Sequence, residues 1–121
     1  MFVTVGEDGI IFTSSDGNTW TNIRTSSGTS KHLYEVTYGN STFVTVGENG
    51  TILTSLNGTT WTERDSGTSR YLRGVNYGNG LFVTVGYLGY SGNIFTSTDG
   101  TSWTKRTSGT SNTLIGVTYS Q

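Results

Sequence analysis

The chain of 121 residues contains no cysteine, no proline and no alanine, and it has one histidine and one methionine. Without cysteine it has no disulfide, no thiolate metal site and no cysteine nucleophile. A single histidine cannot supply the pair of imidazoles used by many transition-metal sites. The absence of alanine, the strongest helix former, argues against helices. Charge is scarce as well: seven Lys and Arg against eight Asp and Glu leave a net charge of −1. With no basic run, non-specific nucleic-acid binding is not expected. No apolar stretch approaches the roughly 20 residues of a membrane helix, and no charged-then-apolar leader precedes the first repeat. A phosphate-binding Gly-x-x-x-x-Gly-Lys loop is also missing. The expectation is a chain without cofactor, metal, nucleic acid or membrane.

What is abundant points to strands and turns. There are 24 Thr, 15 Ser and 18 Gly, a composition suited to β-structure with tight connections. Three Trp, seven Tyr and five Phe stand among few aliphatic residues, so rings are expected to fill much of the core. The length fits one unit, 1–121, rather than two independent cores.

An internal repeat organises the chain. Phe2-Val3-Thr4-Val5-Gly6 returns as Phe43-Val44-Thr45-Val46-Gly47 and as Phe82-Val83-Thr84-Val85-Gly86. Trp20, Trp61 and Trp103 each precede a threonine, and Ser-Gly-Thr-Ser follows at 27–30, 66–69 and 108–111. Val36-Thr37-Tyr38, Val75-Asn76-Tyr77 and Val117-Thr118-Tyr119 complete the set. The repeats run over approximately 2–42, 43–81 and 82–121. Each holds four short alternating segments separated by Gly- and Asn-rich breaks. This is the pattern of four antiparallel strands, A to D, in a propeller blade.

The third turn of each repeat carries a more specific signal. Ser14, Asp16, Gly17 and Trp20 match Ser55, Asn57, Gly58 and Trp61, and again Ser97, Asp99, Gly100 and Trp103. An Asx side chain accepts backbone N–H bonds within its own turn, Gly allows positive φ, and Trp anchors the strand that follows. The motif resembles the Asp-box of neuraminidase-type (BNR) repeats, found in sialidase-like and photosystem-assembly-factor-like propellers. The resemblance implies an all-β propeller in which these residues are structural and lie away from the catalytic face.

The strand order reads BCD, ABCD, ABCD, A, which leaves one strand missing at the front and one over at the back. Known rings have about four to eight blades, so three blades are expected to close through a homo-oligomer. In such a velcro-like strand exchange, residues 114–119 of one chain complete the first blade of another. A six-bladed dimer is favoured, and a nine-bladed trimer is the alternative. The chain's ends fit a short natural chain and a fragment or engineered propeller with no ligand alike.

In a propeller the D–A and B–C connections share one face, and here these are the connections that differ between repeats. That face is where binding is expected. The candidates are Tyr87, Leu88 and Tyr90 in the longest B–C loop and Glu7, Asp8, Glu48 and Asn49 in its counterparts. Lys31, His32, Arg70, Tyr71 and Arg73 in the D–A loops complete the set. Aromatic rings beside carboxylates suit a glycan, and a polypeptide is the other expected ligand. No catalytic residue is assigned, so the reading is a non-catalytic scaffold or binding module. The alternative, a sialidase-like glycoside hydrolase fragment, needs an arginine cluster and two carboxylates in dissimilar surroundings. Arg24, Arg64 and Arg106 recur once per repeat, but on the outermost strand. Glu7 and Glu48 occupy equivalent positions.

Overall fold

The computed structural model describes residues 1–23, 28–88 and 91–121. Among them the chain is all-β, built as three antiparallel sheets of three, four and four strands. Sheet 1 holds β1 (Phe2–Val5), β2 (Ile11–Ser14) and β3 (Thr21–Asn22). Sheet 2 runs in order through β4 (Leu33–Gly39), β5 (Thr42–Gly47), β6 (Ile52–Ser55) and β7 (Thr62–Arg64). Sheet 3 repeats it with β8 (Tyr71–Gly78), β9 (Leu81–Leu88), β10 (Ser91–Ser97) and β11 (Thr104–Arg106). Each strand pairs with its neighbour in sequence, so only short connections are needed.

The three Phe-Val-Thr-Val-Gly blocks form β1, β5 and β9. Side chains alternate between the two faces of a strand, and both faces of sheet 2 are buried. Val44, Val46 and Ile52 join Leu72, Val75, Phe82 and Phe95 of sheet 3, with Trp103 packed against them. On the opposite face Leu53 and Trp61, with Phe43 alongside, meet Ile11, Val3 and Val5 of sheet 1. The same exchange, Val-Val-Ile against large rings, therefore holds both sheet pairs together. Equivalent Phe–Trp pairs lie 6.3, 6.2 and 6.5 Å apart, centroid to centroid, in the three repeats.

Two expectations about strands change. The long B–C loop of the third repeat is mostly hairpin. Gly92 pairs with Tyr87 and Ser91 with Leu88, so Tyr87 stands on a strand. The glycines there permit close backbone approach instead of breaking the strand. Residues 114–119, expected as a strand A, form no ladder. They lie along β8 all the same. The Asn76 amide donates to the Val117 carbonyl at 3.2 Å, and Gly78 faces the Tyr119 ring. A strand needs a pairing partner, and among the described residues no strand pairs with this segment.

Candidate functional site

The repeated turn is one hydrogen-bond network built three times. In the first, Ser14 Oγ accepts from the backbone N–H of Asp16 and Gly17 and donates to Asp16 Oδ1. Asp16 Oδ1 also accepts from the N–H of Asn18 at 2.8 Å and Thr19 at 3.0 Å. The Trp20 indole N–H donates to the Gly17 carbonyl at 3.2 Å. Asn57 and Asp99 reproduce the arrangement through the same oxygen. Gly17, Gly58 and Gly100 take φ of 82°, 80° and 81°. The carboxyls of Asp16 and Asp99 are held below the ordinary value of 3.8, chiefly by the N–H groups of Thr19 and Asn18 and of Ser102 and Thr101. In each, Oδ1 is committed to the turn, which suits a structural role.

Around these turns an open cleft of about 410 Å³ runs between sheets 2 and 3, lined by Thr54, Asn57, Arg64, Asp99 and Thr101 among others. Its polar groups are largely occupied. Asn57 and Asp99 hold their own turns, and Arg64 Nε donates to Thr54 Oγ1 at 3.0 Å. Arg106 does the same to Thr96. The recurring arginines thus tie strand D to strand C within their own sheet; Arg24 lies outside the described residues. A second open cleft, of about 550 Å³, lies at the opposite end of sheet 3, lined by Gly92, Asn93 and residues 105–111.

At that opposite end the Ser-Gly-Thr-Ser loops clasp the B–C turns. Gly9 and Gly50, at φ 74° and 73°, lie against the carbonyls of Thr29 and Thr68, and a Cβ at either position would overlap that oxygen. Between sheets 1 and 2, Glu48 Oε1 accepts the His32 backbone N–H at 2.7 Å. His32 Nδ1 accepts the Asp8 N–H at 3.0 Å. Nδ1 also lies 3.8 Å from the Asp8 carboxylate.

Between sheets 2 and 3 the same end gathers rings and charge. Tyr71 and Tyr87 face each other across β8 and β9, edge to face at 5.6 Å. The Arg73 guanidinium lies 4.4 Å from the Tyr34 ring centroid, a cation–π distance. Arg73 Nε is buried and has no hydrogen-bond partner among the described residues. The Tyr34 hydroxyl is pushed above its ordinary value of 10.0, first by burial and then by Glu48, with Arg73 opposing. Tyr71 and Arg73, expected in a loop, stand on β8. Arg73 occupies the irregular position between Leu72 and Gly74, and Tyr34 the matching one between Leu33 and Glu35. Sequence reasoning passed over Tyr34. Its signal was alignment with Arg73 and Ile115 between a leucine and the Val-x-Tyr stretch.

Of the residues expected to bind, Glu48, Tyr71, Arg73 and Tyr87 come together. Arg70 lies just before them in the D–A loop, half-buried, and Glu7 is exposed in the turn between β1 and β2. Tyr90 lies outside the described residues. No group of three or more His, Cys, Asp or Glu that could hold a metal occurs among the described residues. No protein-family model and no curated protein matches the chain.

Proposed function

We propose that the chain is three blades of an Asp-box-type β-propeller, closed by association with a second copy, and that it works as a non-catalytic carbohydrate-binding module. The observation that carries this reading is the cluster of Tyr34, Glu48, Tyr71, Arg73 and Tyr87 at the loop-rich end of the inner strands. Aromatic rings offer apolar faces to a sugar ring. A carboxylate and a guanidinium group offer bonds to its hydroxyls. The frame beneath is rigid, because both faces of sheet 2 are packed.

A hydrolase would need an acid and a second carboxylate in contrasting surroundings. Glu48 instead holds a backbone N–H of the D–A loop, and Arg64 and Arg106 sit on outer strands bonded to threonines. The test is binding of the fluorescently labelled chain to an array of immobilised glycans. Saturable signal that Tyr71→Ala and Tyr87→Ala each weaken about tenfold or more supports the reading. Turnover of a fluorogenic glycoside that Glu48→Gln abolishes would overturn it in favour of the hydrolase.

A further inference from the structure

The two outer faces of the three-sheet stack are unlike each other and match. Each internal interface sets a Val-Val-Ile face on one sheet against large rings on the next. By repeat position, the outer face of sheet 3 carries Val83 and Ile94, both half-buried, and Val85, which is 5% exposed, and that of sheet 1 carries Phe2, Phe12 and Trp20. Phe2 is 56% and Trp20 40% exposed, whereas Phe82 and Trp61, their internal equivalents, are 0% and 6% exposed. An open apolar face of this kind is filled by whatever fills its internal copies. The matching surface stands on the far side of the same chain, so a head-to-tail copy fits it.

The strand edges match in the same sense. β5 and β9 are each flanked by an inner strand, but among the described residues β1 pairs only with β2. Residues 114–119 repeat the inner-strand sequence and lie on β8 as β8 lies on β4: Tyr119 covers Gly78, as Tyr77 covers Gly39. A groove of about 180 Å³ beside β1, lined by Met1, Phe2, Val3, Val36, Thr37 and Tyr38, marks where an inner strand would lie.

We infer that residues 116–119 of one copy pair antiparallel with β1 of a second, setting Gly116 opposite Val5, Val117 opposite Thr4, Thr118 opposite Val3 and Tyr119 opposite Phe2. The register follows from Glu35–Val46 through Tyr38–Phe43 in sheet 2 and Gly74–Val85 through Tyr77–Phe82 in sheet 3. It completes two contacts that a single chain leaves half-made. Tyr38–Phe43 and Tyr77–Phe82 are ring pairs at 4.5 and 4.6 Å, while Phe2 is 56% and Tyr119 48% exposed. Thr45 and Thr84 each donate from Oγ1 to the inner-strand carbonyl of Glu35 and Gly74 at 2.8 Å, and Thr4 is the third member, matched to Gly116. The match ends at Ser120, which stands where Gly39 and Gly78 do. A Cβ at Gly39 would overlap the Tyr77 ring. Two copies give six blades, within the usual range for a ring. This register rests on the proposed association with a second copy.

The chain has no cysteine of its own, so introduced thiols report the register without background. Two double variants place cysteines in register, Val3→Cys with Thr118→Cys and Thr4→Cys with Val117→Cys. Adjacent antiparallel pairs alternate between wide and close spacing, so one of the two is the close kind. The control, Val3→Cys with Val117→Cys, is off by one residue and puts the thiols on opposite faces. After mild oxidation, a covalent dimer from at least one in-register pair and none from the control is the expected result. Tyr119→Ala, without thiols, should weaken association about tenfold by loss of the ring pair and its apolar contact. A dimeric mass with no in-register cross-link, or with cross-linking of the control, overturns this register and leaves association standing. A monomeric mass for the unmodified chain at all concentrations overturns both.

Discussion

Phe2 and Phe82 hold the same place in the repeat but differ in what covers them, so the same substitution at both isolates the sheet-to-sheet contact. Phe82 is fully buried between sheets 2 and 3, its ring 4.6 Å from Tyr77 and 6.5 Å from Trp103. Phe82→Ala removes that burial and leaves a cavity bounded by Val44, Val46 and Ile52, a loss of about 3–5 kcal/mol. Domains of this size have total stabilities on the order of 5–15 kcal/mol, so the variant should sit near the edge of folding. Phe2 is already 56% exposed in the single chain. By burial alone, Phe2→Ala there should cost about 1 kcal/mol. Urea unfolding followed by the fluorescence of Trp20, Trp61 and Trp103 measures both, at one fixed protein concentration dilute enough to keep the chain monomeric. A clear fall in midpoint for Phe82→Ala and a small one for Phe2→Ala is expected. Equal losses at the two positions would refute the packing on which the three-sheet stack rests.

Ser55→Ala should cost about 1–3 kcal/mol in the same assay, because it strips the acceptor from the N–H of Asn57 and Gly58 in a buried turn. Asn57→Asp, by contrast, keeps the Oδ1 that the turn uses and should stay within about 0.5 kcal/mol at neutral pH. The carboxyls of Asp16 and Asp99 lie below their ordinary value of 3.8 when folded. Their contribution is therefore present above that value and is lost as pH falls through the lowered one. Thermal midpoints measured from pH 5 down to pH 2 should fall less steeply in the Asp16→Asn, Asp99→Asn double variant; an unchanged slope would count against the carboxylate turns. Gly50→Ala should be severe, since its Cβ would meet the Thr68 carbonyl. Gly67→Ala, at φ 80° in open space, should cost only the left-handed backbone penalty of about 1–2 kcal/mol. Similar thermal midpoints for the two variants would contradict the loop clasp.

The strands were legible where residues alternate between two environments. Phe-Val-Thr-Val-Gly became β1, β5 and β9 because every second residue faces the same neighbouring sheet. The Ser-x-Asx-Gly-x-x-Trp turns were legible because their bonds are local. The β9–β10 hairpin was misread as a loop since Gly86, Gly89 and Gly92 look like breaks, and only cross-strand pairing shows otherwise. The clasp of Thr29 and Thr68 over Gly9 and Gly50 depends on contacts between distant segments, so the Ser-Gly-Thr-Ser motif showed its spacing but not its role. In the candidate site, Tyr71, Arg73, Tyr87 and Glu48 were named from their repeat positions. Tyr34 was not, because its partner Arg73 is reached only when β4 and β8 lie side by side.

The proposed association of the two open faces is tested most directly by the mass of the unmodified chain in solution, measured by light scattering after size exclusion. A mass of twice the 13.0 kDa of a single chain is expected, with dissociation favoured by Tyr119→Ala. A folded species that stays at 13.0 kDa up to high concentration would contradict it, leaving Phe2, Trp20 and the edge of β1 open to solvent.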